Sequence, residues 1–249
     1  MRPAAPLAIA PSDDGTHVTE EIRSGKAAPG MDPDRRELVM FDFDGVIVDS
    51  LDIFSSAFLE ACRAAGLEGF TRTEDLLAVM EDNFYASMRA RGVPDEQVAE
   101  VLRRLGASLV KARRWLKPVP LMPQVLEELS PERTVIVVTS SPDDVVEGWL
   151  RGHGVGGVDE VAGAETARSK VEKIRALRER FPDQDVYWFV SDTVGDMREA
   201  RKGGATPVGV AWGWHEPEML AEAGAERIAA TPAELLTILA PELAHDFFG

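Results

Sequence analysis

One cysteine in 249 residues, Cys62, excludes an intrachain disulfide and a Cys-rich zinc site. Histidine is nearly as scarce. The four are scattered and never fall at metal-ligand spacing, which argues against an imidazole-built metal centre. No run approaches the ~18 uncharged apolar residues of a membrane-spanning helix, so no membrane partner is expected. Basic residues are outnumbered, 27 Lys and Arg against 43 Asp and Glu, for a net charge of −16. Nucleic acid rewards clustered positive charge, so it is not an expected partner. The rest of the composition, 45% hydrophobic and 28% charged, is that of a globular protein. It argues against wholesale disorder, collagen and coiled coil. The expectation is a soluble cytoplasmic protein of one large or two small domains, with monomer and homodimer both open.

Residues 1–36 differ in character from the rest of the chain. Five of the 16 prolines fall there, with Gly15, Gly25 and Gly30, and no helix or strand period survives. They read as a disordered leader. The run from Ala4 to Ala10 is short and broken by Pro6, and is rejected as a secretory signal. Met31 is a candidate internal start. From Glu37 the pattern is α/β. Leu38 to Phe43, Thr134 to Thr139, Val186 to Val190 and Val208 to Trp212 are short apolar runs of the kind that form buried parallel strands. Helical patterns at 142–151, 169–180, 195–203, 216–223 and 232–240 separate or follow the later strands. This alternation predicts a Rossmann-like parallel sheet with right-handed crossovers. Between the first two strands lie about 90 residues that read as helices at 51–66, 74–91, 95–117 and 121–129. One crossover needs one helix. The surplus predicts an inserted helical cap at 52–118, with the core formed by 37–51 and 119–249.

The first strand runs into Asp42-Phe43-Asp44-Gly45. Carboxylates two apart on extended backbone point the same way. They leave the strand at its C-terminal end, where open α/β sheets bind ligands. Like charges this close call for a cation or a raised pKa. Mg²⁺, which prefers oxygen ligands and keeps waters, suits the site. Gly45 permits a sharp turn. The third strand ends in Ser191-Asp192, with Asp196 one helical turn later. Asp42, Asp44, Asp192 and Asp196 are therefore expected to gather around a dication. The second strand ends in Thr139-Ser140-Ser141 before a helix, a phosphate-binding arrangement. Lys170 would supply positive charge, with Lys173 a competitor. Singly, each feature has an ordinary reading as a cap, a turn or a surface lysine. Their placement at successive strand ends argues for a shared site.

Over about residues 37–240 the chain resembles the haloacid dehalogenase superfamily, in its phosphoglycolate phosphatase-like branch with a helical cap. The resemblance rests on Val39 to Val46, Val135 to Ser140, Lys170 and Ser191 to Asp196. It implies Mg²⁺-dependent hydrolysis of a small phosphorylated metabolite. Asp42 would be the nucleophile and Asp44 the acid and then the base. Asp42, the Asp44 carbonyl and Asp192 would hold Mg²⁺, supported by Asp196. Thr139, Ser140, Lys170 and the turn at Gly45 would hold the phosphoryl group. Asp44 favours phosphoryl transfer over dehalogenation, because an alkoxide needs a proton and a halide does not. A sugar-phosphate mutase resembling β-phosphoglucomutase and a non-catalytic binding protein are the alternatives. The family usually has Gly where this chain has Ser191.

Within 101–117, Arg103, Arg104, Lys111, Arg113, Arg114 and Lys117 occupy one half of a helical wheel, and an apolar set including Trp115 fills the other. The basic half reads as a solvated face or as a field that attracts phosphate esters. Asn83, Tyr85 and Arg89 are candidate leaving-group contacts. His153 and His215 are both candidate ligands or bases, although His153, flanked by Gly152 and Gly154, reads first as a loop residue, and Trp212 to His215 follow the fourth strand at the expected site edge, with core or rim packing as their ordinary reading.

Overall fold

The computed structural model describes residues 37–243. The leader expected at 1–36 lies outside the described residues, as does the candidate start at Met31. A six-stranded parallel sheet forms the centre. Its strands are β1 (Glu37–Phe41), β4 (Thr134–Val138), β5 (Glu160–Ala162), β6 (Val186–Ser191), β7 (Thr206–Val210) and β8 (Arg227–Ala229), in the order β5-β4-β1-β6-β7-β8. Two-residue strands β2 (Val48–Asp49) and β3 (Lys117–Pro118) pair antiparallel as a separate ribbon.

Alternation along the strands sorts side chains onto two faces. Val39, Phe41, Val135 and Val137 enter one apolar cluster; Leu38, Met40, Ile136 and Val138 enter another. Helices α5 (Met122–Leu129), α6 (Asp143–His153) and α10 (Pro232–Leu239) contribute to the first cluster. Helices α7 (Lys170–Arg180) and α8 (Val194–Gly203) contribute to the second. The remaining core helix is α9 (Pro217–Ala223). Covering both faces is what a parallel sheet requires.

Between β1 and β4 lie α1 (Leu51–Ala64), α2 (Thr73–Val79), α3 (Phe84–Ala90), α4 (Asp95–Ala112) and a 3-10 turn at Arg113–Trp115. The chain leaves and re-enters this helical layer through the β2/β3 ribbon. The helix expected at 74–91 is two helices. Asn83 separates them, its Oδ1 accepting from the main-chain N–H groups of Tyr85 and Ala86. The helix expected through 117 ends at Ala112. The 3-10 turn then rotates Trp115 out of the apolar half, leaving it 64% exposed. The last long strand begins two residues before the expected Val208, and Trp212 belongs to the turn after it. β5 and β8 have three residues each, too few to show a period. Among the described residues no helix is long and apolar enough to cross a membrane.

Cys62 is fully buried on α1, and burial pushes its thiol up to about 12. A buried thiol held in its protonated form is a poor nucleophile. An aromatic disulfide reagent at pH 8 should leave the folded protein unmodified and titrate one thiol after denaturant is added. Rapid labelling without denaturant would contradict this packing.

Candidate active site

Three adjacent strands, β4, β1 and β6, deliver their C-terminal ends to one edge of the sheet. Asp42 follows β1 and still pairs with the sheet, its N–H donating to the Val190 carbonyl at 2.9 Å. Its Oδ1 accepts from the Phe43 N–H at 2.7 Å. Its Oδ2 accepts from Lys170 Nζ at 2.7 Å. The same ammonium donates to Asp196 Oδ2 at 2.7 Å. Lys170 is only 4% exposed, so it is a buried cation held between two buried acids. Ser169 caps the helix that carries it, accepting from the Val171 N–H. Of the two lysines, Lys170 reaches the carboxylates, whereas Lys173 Nζ donates to the Thr139 carbonyl at 2.5 Å.

Asp44 Oδ2 accepts from Ser141 Oγ at 2.5 Å. Thr139 Oγ1 accepts from the Ser141 N–H at 3.1 Å, which orients that serine. The Ser141 hydroxyl therefore links the second strand end to the first, a contact the sequence pattern did not single out. Gly45 adopts φ 75°, and a Cβ there would lie 2.0 Å from Asp192 Oδ2. Its turn is fixed by its N–H donating to the Val48 carbonyl and to Ser50 Oγ.

Asp192 is fully buried. Its Oδ2 accepts from the Trp214 N–H at 2.8 Å, while its Oδ1 is buried with no hydrogen-bond partner among the described residues. The Ser191 hydroxyl is not idle: Oγ donates to Asp196 Oδ2. The four acids are therefore not simply an uncompensated cluster, because Lys170 and Ser191 serve two of them.

Electrostatics follow from this wiring. Burial pushes the Asp42 carboxyl up to about 7; Lys170 opposes the rise, and Asp196 and Asp44 add to it. Burial also raises Asp44, against the hydrogen bonds from Ser141 and Ser50. Asp192 is raised well above the usual carboxylate range by burial and by the charge of Asp42. For Asp196 burial acts upward, but the ammonium of Lys170 prevails and holds it below the usual range. Burial and the neighbouring charge of Lys170 bring Lys173 down to about 8.

A cation fits this donor set. Asp192 Oδ1 meets no donor among the described residues, and the one ammonium near Asp42 is shared with Asp196 and does not offset the rise at Asp42, so added positive charge would be favourable here. Among the described residues no three His, Cys, Asp or Glu side chains converge as an ion cage. A hard dication held by Asp42 and Asp192 would complete its shell with main-chain carbonyl, water or substrate oxygen, as Mg²⁺ does.

Asp42, Asp44, Thr139, Ser140, Lys170 and Asp196 share the wall of one cavity of about 150 Å³. The helical layer closes over it. The Met80 carbonyl accepts from the Gly195 N–H, the Glu81 carbonyl from Arg198, and Asn83 Nδ2 donates to Glu199 Oε1. His215 bridges the same seam. Its Nδ1 accepts from the Val194 N–H at 2.9 Å, which leaves Nε2 to donate to the Leu77 carbonyl at 3.0 Å. Both ring nitrogens are thus used, and burial lowers its pKa and favours the neutral ring. His215 is structural here. His153 is not a loop residue: it ends α6 and stacks on Trp149 at 4.4 Å.

Asn83 and Tyr85 line the cavity, as does Trp214, and so do Arg168 and Glu199, which the sequence pattern did not single out as site residues. Arg89 does not line it. That side chain forms a surface pair with Asp95 at 2.6 Å. The cavity takes Leu102, Leu105, Gly106 and Leu109 from α4, not its basic half. Arg103 and Arg104 are paired with Glu100, one residue before the acid-free stretch.

A family model described as haloacid dehalogenase-like hydrolase matches residues 39–210. A phosphoglycolate phosphatase of Synechococcus elongatus is 25% identical over 206 residues, covering 80% of this chain and 95% of that one. A phosphoglycolate phosphatase of Vibrio vulnificus is 24% identical over 218 residues, covering 82% and 96%. The crystal structure of a hydrolase from Pseudomonas syringae superposes with a TM-score of 0.65 at 20% identity, covering 83% and 99%, a likeness of fold.

Proposed function

Since the chain belongs to the haloacid dehalogenase-like hydrolase family, we propose that it is a Mg²⁺-dependent phosphatase. Its substrate would be a small phosphomonoester, cleaved through an aspartyl-phosphate on Asp42. The observation that carries this reading is the pairing of Asp42 and Asp44 on one cavity wall, with the Lys170 ammonium 2.7 Å from Asp42. Two curated relatives named phosphoglycolate phosphatase support it.

The residues divide the work. The Asp42 carboxylate attacks phosphorus, and the bond from phosphorus to the ester oxygen breaks. The Phe43 N–H and Lys170 hold the Asp42 oxygens in place for that attack. Asp44, whose acid form burial favours, protonates the leaving alkoxide. It then takes a proton from the water that attacks the phosphorylated Asp42. That second step releases inorganic phosphate and restores the carboxylate. The Ser141 hydroxyl keeps Asp44 aimed at the cavity. Lys170 and the amides after β4 receive negative charge as it moves to the phosphoryl oxygens. Asp42, the Asp44 carbonyl and Asp192 would hold Mg²⁺, with Asp196 supporting, and the ion would neutralise charge on the phosphoryl group. The closed helical layer would act as a cap that excludes bulk water.

Phosphate release from a panel of metabolite phosphomonoesters tests this. Release should require added Mg²⁺, fall at least about 100-fold on chelation, and return when the ion is restored. No release from any ester, with Mg²⁺ present, would overturn the reading. Isomerisation of a sugar phosphate faster than phosphate release would point to the mutase instead.

A further inference from the structure

The cavity has two unlike halves. The floor is the polar set at the strand ends. The roof and far wall are built mainly from Phe54, Phe84, Leu102, Leu105, Leu109 and Trp214. The three leucines recur at i, i+3 and i+7, so they form one stripe of α4 turned toward the floor.

Above the floor the one buried charge is acidic, Glu199, and the exposed rim carries one charge of each sign, Asp82 and Arg168. Asp82 and the largely buried Glu199 line the cavity beyond the floor. Glu199 is fixed there by Ser169 Oγ at 2.8 Å and by Asn83. Among the described residues, only two that line the cavity are cationic. Lys170 is held between Asp42 and Asp196. Arg168 is exposed and lies over the Tyr85 ring, 5.2 Å from its centroid. A second anionic group seated in the cavity would therefore meet leucine, aromatic rings and carboxylates, with Arg168 the one cation beyond the floor among the described residues, exposed at the rim and stacked on Tyr85. Desolvating a charge against such a wall is costly. An uncharged hydrocarbon group would instead gain from burial there.

Building on the phosphatase reading above, we infer that the ester's leaving group is a small apolar alcohol or phenol with no second charge. The leucine and aromatic wall would hold it. Its size is bounded by the space: the whole cavity, polar floor included, is about 150 Å³, and the phosphoryl group takes part of it, so the leaving group is no larger than one benzene-sized group.

The test compares isobutyl phosphate and phenyl phosphate with 2-phosphoglycolate, in Mg²⁺ buffer. Isobutyl phosphate is an alkyl ester, as 2-phosphoglycolate is, so it separates pocket preference from leaving-group reactivity. Its kcat/KM should exceed that of 2-phosphoglycolate by about 100-fold. Calorimetry should find phenylphosphonate bound at least about tenfold more tightly than phosphonoacetate. Leu102→Lys, which places a cation on the half-buried part of the stripe, should reduce both ratios by about tenfold or more. Equal or better turnover of 2-phosphoglycolate, or tighter binding of phosphonoacetate, would overturn the inference and leave the phosphatase reading standing. Preferential phenylphosphonate binding without hydrolysis of any ester would remove the phosphatase reading and leave the pocket's ligand class supported. Binding of neither phosphonate, with no hydrolysis, would overturn both.

Discussion

Asp42→Asn should lower phosphate release by at least about 10⁴-fold, the scale on which losing a covalent nucleophile acts. The melting temperature should stay within about 3 °C of the parent. The two expectations come from different parts of the structure. Asparagine keeps the shape of the side chain but supplies no carboxylate to attack phosphorus. Burial already disfavours the Asp42 charge, and Asp196 and Asp44 add repulsion, so removing that charge costs the fold little. Lys170 keeps its contact with Asp196 and is not stranded. Acid-quenched protein from a labelled ester should carry phosphate in the parent and none in the variant. A variant that retains more than a tenth of parent turnover would dismiss Asp42 as the nucleophile.

Lys170→Met should damage both activity and stability. The ammonium is the shared counter-charge of Asp42 and Asp196. Methionine fills similar volume but leaves two buried acids facing each other. Breaking a buried ion pair by removing one partner costs about 3–5 kcal/mol. For a domain of this size that lowers the melting temperature by on the order of 10 °C. Turnover should fall by about 10²–10³, the usual scale for losing one group that stabilises the transition state. Scanning calorimetry and phosphate release on the same preparation measure both. A methionine variant with an unchanged melting temperature and turnover within threefold would show that the buried lysine does neither task. Lys173→Met offers a contrast, since Lys173 reaches the Thr139 carbonyl instead of the carboxylates.

Much of the fold was legible because the signal is local. Burial on both faces makes a parallel strand apolar at every position, and Thr134–Val138 is buried throughout. The later helices fall within two residues of their expected bounds, since amphipathic period and Ser or Thr caps are local as well. Errors arose where local signal was short or ambiguous. β5 and β8 are stretches of three residues, recognisable only because a neighbouring strand pairs with them. The break at Met80–Asn83 interrupts an otherwise helical run because Asn83 caps the next helix.

The sequence by itself determined which acids would stand at strand ends. In a parallel sheet those ends must share one edge, whatever the details of packing. Only the tertiary structure decided what each acid touches. Lys170 and Lys173 lie one turn apart on the same helix. The seating of that helix against the sheet sends one to Asp42, 128 positions away in the chain, and the other to Thr139. The Ser141 bond to Asp44, the unpartnered oxygen of Asp192 and the apolar roof over the floor have the same origin. Strand order follows from a repeating local pattern. Contacts of a few ångströms between distant segments depend on how the layers finally settle against one another.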